Sequence, residues 1–190
     1  MKNVLFVNAC VRENSRTRIL AEKLLSALQG EVYEANLEQM DLRPFTKSML
    51  DQRDELLAAK AYTDPMFENA RRFVGADVIV FAAPYWDCSF PSSVKVYIEH
   101  IMVNGITFTY TEDGYPKGMC KAKKLYYVST AGGPVIGTNH GFEYVKALAA
   151  LYWGIPETKL FQAENLDIIR ANVGRILEEA MAEISESVKE

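Results

Sequence analysis

Ala83-Pro84-Tyr85-Trp86-Asp87-Cys88-Ser89-Phe90-Pro91 follows a buried-looking run, Asp77 to Ala82, apolar after its first residue, and leads into an amphipathic helical pattern from Ser92. The run is short and rich in β-branched residues, so it reads as a strand buried on both faces, the kind found in parallel sheets. The segment after it therefore lies at a strand's carboxyl end, where open α/β sheets bind their ligands. Forty residues on, Tyr126-Tyr127-Val128-Ser129-Thr130-Ala131-Gly132-Gly133-Pro134 repeats the arrangement.

Working outward, the same alternation covers the chain. Strands are expected at Val4 to Asn8, Val32 to Asn36, Asp77 to Ala82, Lys124 to Ser129 and Lys159 to Ala163. Helices are expected at about Thr17 to Leu28, Asp64 to Phe73, Ser92 to Val103, Asn139 to Leu151 and Ala171 to Val188. Leu20, Leu24, Leu25 and Leu28 share one helical face, as do Val94, Tyr97, Ile98 and Ile101. Parallel strands need crossover helices, so the expected fold is α/β, a doubly wound five-stranded parallel sheet with helices on both faces. With 190 residues, 49% of them apolar, one domain over residues 1–190 is expected.

Two segments interrupt the alternation. Asp41 to Tyr62 is an insertion with helical composition from Met49 to Ala61, expected to cover the site or a neighbouring subunit. Gly105-Ile106-Thr107-Phe108-Thr109-Tyr110-Thr111-Glu112-Asp113-Gly114 alternates β-formers and ends in an Asp-Gly turn, the pattern of a hairpin standing off the sheet.

A formal charge of −4 without a basic tract offers little general attraction for nucleic acid. No apolar run reaches the roughly 20 residues that cross a bilayer. The first strand is interrupted by Asn8 and Arg12 and does not read as a secretory signal, so the expected location is cytoplasmic. Cys10, Cys88 and Cys120 have no paired spacing, and His100 and His140 are the chain's two histidines, so no metal site is expected.

Two crevice loops of this kind suit a flat, polar-edged ring, and the chain reads as a flavin-binding protein. Tyr85 and Trp86 would lie against the ring, the amides of Asp87 and Cys88 would face its N5 and O4 edge, and Thr130 to Gly133 would serve its pyrimidine side. Packed core aromatics and a plain glycine turn explain the same segments equally well. The loop Ala9-Cys10-Val11-Arg12-Glu13-Asn14-Ser15-Arg16-Thr17-Arg18 joins the first strand to a helix, where unpaired amides and two hydroxyls suit a phosphate. Ordinary N-capping by Asn14 or Ser15 is the alternative. The loop contains neither a P-loop nor a Gly-x-Gly-x-x-Gly turn, which favours a monophosphate such as that of FMN over a pyrophosphate.

Ala83-Pro84-Tyr85-Trp86 with Pro91-Ser92-Ser93-Val94-Lys95, the Gly105 to Gly114 segment, and Ser129-Thr130-Ala131-Gly132-Gly133 together resemble the flavodoxin-like NAD(P)H:quinone oxidoreductases and FMN-dependent azoreductases. The resemblance covers almost the whole chain. It implies that Ser15, Arg16 and Thr17 hold the FMN phosphate with Cys10 beside them, that Pro84 to Cys88 line the ring, and that Thr130, Ala131, Gly132 and Gly133 bind its pyrimidine side. It further implies a homodimer with the site at the interface, Phe108 shaping the substrate pocket, and His140 with Gly141 resembling the histidine-glycine pair of the larger quinone reductases. The implied reaction is ping-pong, from NADH or NADPH through FMN to a quinone, azo dye, nitroarene or free flavin. Asp87 stands where azoreductases often have an amide, Ala131 where several carry a larger side chain, and Asn8 and Cys10 in a loop that is often serine-rich. A flavodoxin-type electron carrier and a non-catalytic flavin-binding protein are the alternatives that the same fold allows.

Overall fold

The computed structural model describes residues 2–188. Its central sheet contains β1 (Lys2–Asn8), β2 (Gly30–Asn36), β3 (Val78–Ala82), β6 (Lys124–Thr130) and β7 (Glu157–Ala163), all parallel, in the order β2-β1-β3-β6-β7. All five strands read from the sequence are present. Three begin two residues before the apolar runs, because Lys2, Glu31 and Glu157 lie at the exposed amino-terminal edge, where strand pairing needs no apolar side chain.

Successive side chains along a strand point to opposite faces, and each face has its own core. Leu5, Val7, Ile79, Phe81, Leu125 and Tyr127 pack under α3 (Glu68–Gly75), α4 (Ser92–Ile101) and α5 (His140–Leu148), with Trp153 fully buried among them. Val4, Phe6, Val80, Tyr126 and Val128 pack under α1 (Arg16–Leu28) and α6 (Val173–Ser187), where Leu20 and Leu24 supply the apolar stripe. Among the described residues no helix is long and apolar enough to cross a membrane.

Several helix ends differ from the apolar pattern for local reasons. Asp64 caps a short 3-10 turn, Pro65–Phe67, by accepting from the Met66 amide at 2.9 Å, so α3 begins only at Glu68. α4 stops at Ile101 because the Thr107 hydroxyl donates to the Ile101 carbonyl (2.7 Å) and accepts from the Val103 amide (3.1 Å). α5 gives way at Ala149 to a wider π turn, Ala149–Trp153, which Gly154 ends in the left-handed conformation (φ 68°).

The insertion forms α2 (Lys47–Ala58), none of whose residues is buried. It is fastened to α4 by Phe45, whose ring stacks on His100 at 4.3 Å and lies under the Arg53 guanidinium. His100 also hydrogen-bonds the Arg43 carbonyl at 2.8 Å, a structural role. The hairpin consists of β4 (Phe108–Tyr110) and β5 (Pro116–Gly118), paired to each other and to no strand of the main sheet. Its second strand presses on the π turn: the Gly118 backbone is so close to Trp153 and Gly154 that no side chain fits between them.

Candidate functional site

Asn8 on β1 pairs with Ala82 on β3, and Ala82 pairs with Val128 on β6, so the three strands end level and their following loops converge. β1 sends its connections to β2 on one side and eventually to β3 on the other, which opens a crevice at the point where the winding reverses. The crevice has a volume of about 270 Å3. Of the residues named from the sequence, Cys10, Ser15, Arg16, Thr17, Pro84, Tyr85, Trp86, Thr130, Ala131 and Gly132 line it, together with Val11, Arg12, Asn14 and Asp167. A larger hollow of about 480 Å3 between β2 and α3 offers no comparable set of free donors: Arg71 donates to the Tyr62 and Asp64 carbonyls, and Arg72 is paired with Glu68.

At one end of the crevice lies the amino terminus of α1. Ser15 caps the helix, its hydroxyl accepting from the Arg18 amide at 3.3 Å, while the amides of Arg16 and Thr17 have no acceptor among the described residues. Free amides at a helix start, with the helix dipole behind them, favour an anion. The Thr17 and Thr130 hydroxyls lie 2.6 Å apart, so one proton is shared between them and the other is free to donate. Burial pushes the Cys10 thiol up to about 11, against a smaller opposing effect of its hydrogen bond with Ser15, so it stays protonated at neutral pH. Behind the loop, the Asn8 side chain accepts from the Cys10 amide (2.9 Å) and donates to Glu34 (2.7 Å), and Glu34 in turn receives two bonds from Arg18. This strut fixes β1, β2 and α1 behind the free amides.

The Arg16 guanidinium takes a different direction from the phosphate contact inferred for it. It donates to the Leu166 carbonyl and to Asp167 Oδ1, each at 2.7 Å. Asp167 lies just beyond the carboxyl end of β7, a position that the crevice rule itself nominates.

At the other end, Trp86 and Ser89 exchange two backbone hydrogen bonds (3.0 and 2.8 Å) around Asp87 and Cys88, which have φ of 49° and 65°. Two consecutive left-handed residues make a tight hairpin turn of the kind that Asn-Gly usually forms. The turn leaves the amides of Asp87 and Cys88 without acceptors, and the Cys88 carbonyl accepts from the His140 amide at 3.2 Å. Trp86 is 39% exposed, which leaves its indole available to a ligand. The Tyr85 phenol is held above its ordinary value, first by desolvation and then by the neighbouring Cys88 thiol.

In the loop after β6 the amides of Gly132 and Gly133 are unpaired, whereas the Ala131 amide extends the sheet to the Ala163 carbonyl at 2.9 Å and is unavailable to a ligand. Asp87, Cys88, Gly133 and His140 adjoin the crevice in sequence but do not line it. Phe108 is 7% exposed and packs edge-on against Tyr110 and Tyr152, away from its own chain's crevice. The insertion contributes no residue to that lining either, so within one chain it covers α4 and not the site.

These donors suit FMN. The two free amides and the hydroxyls of Ser15 and Thr17 match a monophosphate, Gly132 and Gly133 offer unpaired amides to a polar ring edge, and Trp86 supplies an open aromatic face.

The chain matches the model of the family described as having the flavodoxin-like fold over residues 2–188. It is 30% identical to an FMN-dependent NADH:quinone oxidoreductase of Caldicellulosiruptor bescii, covering 100% of this chain and 99% of that protein. A protein of the same description from Caldicellulosiruptor saccharolyticus is 29% identical, with the same coverage. Among solved structures, an azoreductase from Bacillus anthracis superposes with a TM-score of 0.84 over 99% of both chains at 23% identity. A Bacillus anthracis FMN-dependent NADH-azoreductase in complex with FMN gives 0.83 at 20% identity, covering 100% of this chain and 98% of that one. At those identities the structural likeness speaks to the fold.

Proposed function

The chain belongs to the flavodoxin-like fold family, and from that membership we propose that it is an FMN-dependent NAD(P)H oxidoreductase of the quinone reductase and azoreductase kind. The observation that supports this best is the pairing of free helix-start amides at Arg16 and Thr17 with an exposed Trp86 face in one crevice at the sheet's reversal point. When bound, FMN would supply the two-electron hydride chemistry, and no protein nucleophile is required.

The residues' part is to bind and to orient. The Arg16 and Thr17 amides with the Ser15 and Thr17 hydroxyls would hold the phosphate; the Gly132 amide, with those of Asp87, Cys88 and Gly133 beside the crevice, would serve the ring's polar edges. Trp86 and Tyr85 flank the ring. Reductant and acceptor then use the same open face in turn, in a ping-pong cycle whose acceptor is a quinone, azo or nitroaromatic compound. NADH and NADPH both fit this scheme.

We further infer that the working form is a homodimer, in which the partner's hairpin completes the acceptor pocket. Phe108 adds nothing to its own crevice, and Tyr110 and Tyr115 of the same hairpin are exposed. His140 stands beside the crevice, its backbone N–H donating to the Cys88 carbonyl, close enough for a role at the pocket rim.

The test is an anaerobic absorbance spectrum of the FMN-supplemented, desalted protein, followed by NADH and then a simple quinone. A flavin band that bleaches and returns is the expected result. A band that neither nicotinamide bleaches would replace the enzyme by an electron carrier, and the absence of bound flavin would overturn the assignment.

A further inference from the structure

Arg12, Arg16 and Arg18 lie around the start of α1, beside a cradle suited to a phosphate, yet two of the three are already matched by carboxylates. Arg18 is shared by Glu22 and Glu34. Arg16 is held by Asp167 and the Leu166 carbonyl, each at 2.7 Å. Asp167 is fixed in its turn: its amide donates to the Gly132 carbonyl at 2.8 Å, and its carboxylate lies over the Gly132 Cα, where a Cβ would come within 3.1 Å of Asp167 Cγ and nearer still to Oδ2. The pair thus spans the crevice from the α1 start to the loop after β6, and both members line it.

We propose that Asp167 is a specificity-determining residue for the cofactor: by holding Arg16 in a neutral pair, it keeps phosphate recognition on amides and hydroxyls and restrains the preference for FMN over unphosphorylated riboflavin. The proposal rests on the FMN reading given above. A guanidinium attracts a phosphate dianion and a carboxylate at the same place repels it, so the two fields largely cancel beyond the pair's own dimensions. The Arg16 and Asp167 side chains are 28% and 65% exposed, so the pair is partly screened and loosely held. Riboflavin shares every ring contact of FMN and lacks only the phosphate, so any disturbance that Asp167 passes to Gly132 affects both flavins alike and the FMN-to-riboflavin ratio isolates the phosphate.

The experiment titrates the flavin-free wild type, Asp167→Asn, Arg16→Gln and the double variant with FMN and with riboflavin, following flavin fluorescence at low and high salt. Asp167→Asn is expected to raise the FMN-to-riboflavin affinity ratio about fivefold, the effect of one charge at hydrogen-bond range in a water-like dielectric, and to steepen its salt dependence. Arg16→Gln lowers the ratio by leaving the carboxylate unpaired, and the double variant returns to within about twofold of wild type. Asp167→Ser provides the same charge change should the asparagine variant fold poorly. A ratio that stays within twofold in Asp167→Asn and Asp167→Ser, or an equal loss for both flavins, overturns the proposal by reducing the pair to a brace between loops. A wild type that binds neither flavin overturns the FMN reading and this inference with it.

Discussion

Replacing Gly118 with alanine tests whether the hairpin's position is set by backbone contact. A Cβ at that position would lie 2.5 Å from the Trp153 carbonyl oxygen and closer still to the Trp153 carbonyl carbon and the Gly154 nitrogen. Ordinary carbon contacts are about 3.5 to 4.0 Å, so β5 and the π turn must separate by about 1 Å. No side-chain rotation relieves this, because all three atoms are backbone. The movement also loosens the bond from the Cys120 amide to the Trp153 carbonyl, 3.2 Å in the native arrangement. Overpacking of a rigid contact costs about 1 to 3 kcal/mol, and backbone on both sides places this case near about 3. For a chain of this size the expected fall in Tm is about 6 to 12 °C, read by thermal and urea unfolding of the same samples. Gly75→Ala is the control: nothing lies within 4 Å of its Cβ position, at the end of α3, and a gain of about 0.5 to 1 kcal/mol is expected. A Gly118→Ala protein that loses less than about 1 kcal/mol would refute the reasoning.

Three further outcomes are expected. Ser15→Ala combined with Thr17→Ala removes a helix cap and the hydroxyl pair, and should lower FMN retained after desalting about tenfold or more, measured by the flavin absorbance ratio. Phe108→Ala should reduce acceptor turnover more than FMN affinity; the reverse pattern in titration and steady-state kinetics would contradict the roles given to the hairpin and the α1 loop. At pH 8 an aromatic disulfide reagent should label Cys88 rapidly and Cys10 and Cys120 only on unfolding, since Cys88 is exposed while burial holds the other two thiols near about 11 and about 12. The folded pKa of Cys10 lies above its ordinary 9.0, so its contribution to stability is complete below pH 9 and declines between about 9 and 11 as the unfolded thiol ionises. A Cys10→Ala variant should show a shallower decline in urea unfolding over that interval.

The parallel sheet was legible because its inner strands are continuous apolar runs: every residue from Val78 to Ala82 is buried. The crevice followed from the same reading, since loops at level strand ends must converge. Strand starts were less visible, because Lys2 and Glu157 lie at an exposed edge, where strand pairing needs no apolar side chain. Pairings between distant residues were not visible at all. Arg16 sits in a loop that reads as a phosphate binder, and only its partner 151 positions away turns its side chain elsewhere. Ala131 reads as a free donor until β7 is laid beside it and takes its amide. Local sequence fixes which backbone groups a turn exposes, but which of them remain unpaired is decided by the neighbouring strand.

The two-stranded hairpin shares no hydrogen-bond ladder with the sheet that bears the crevice and touches the rest of the chain chiefly where Gly118 meets the π turn. A change in its length or in the residues at its tip therefore shifts no strand register and disturbs neither core. On the proposed reading, in which this segment meets the acceptor, its residues can vary while the cradle stays fixed, so choice of acceptor and hold on the cofactor are separable.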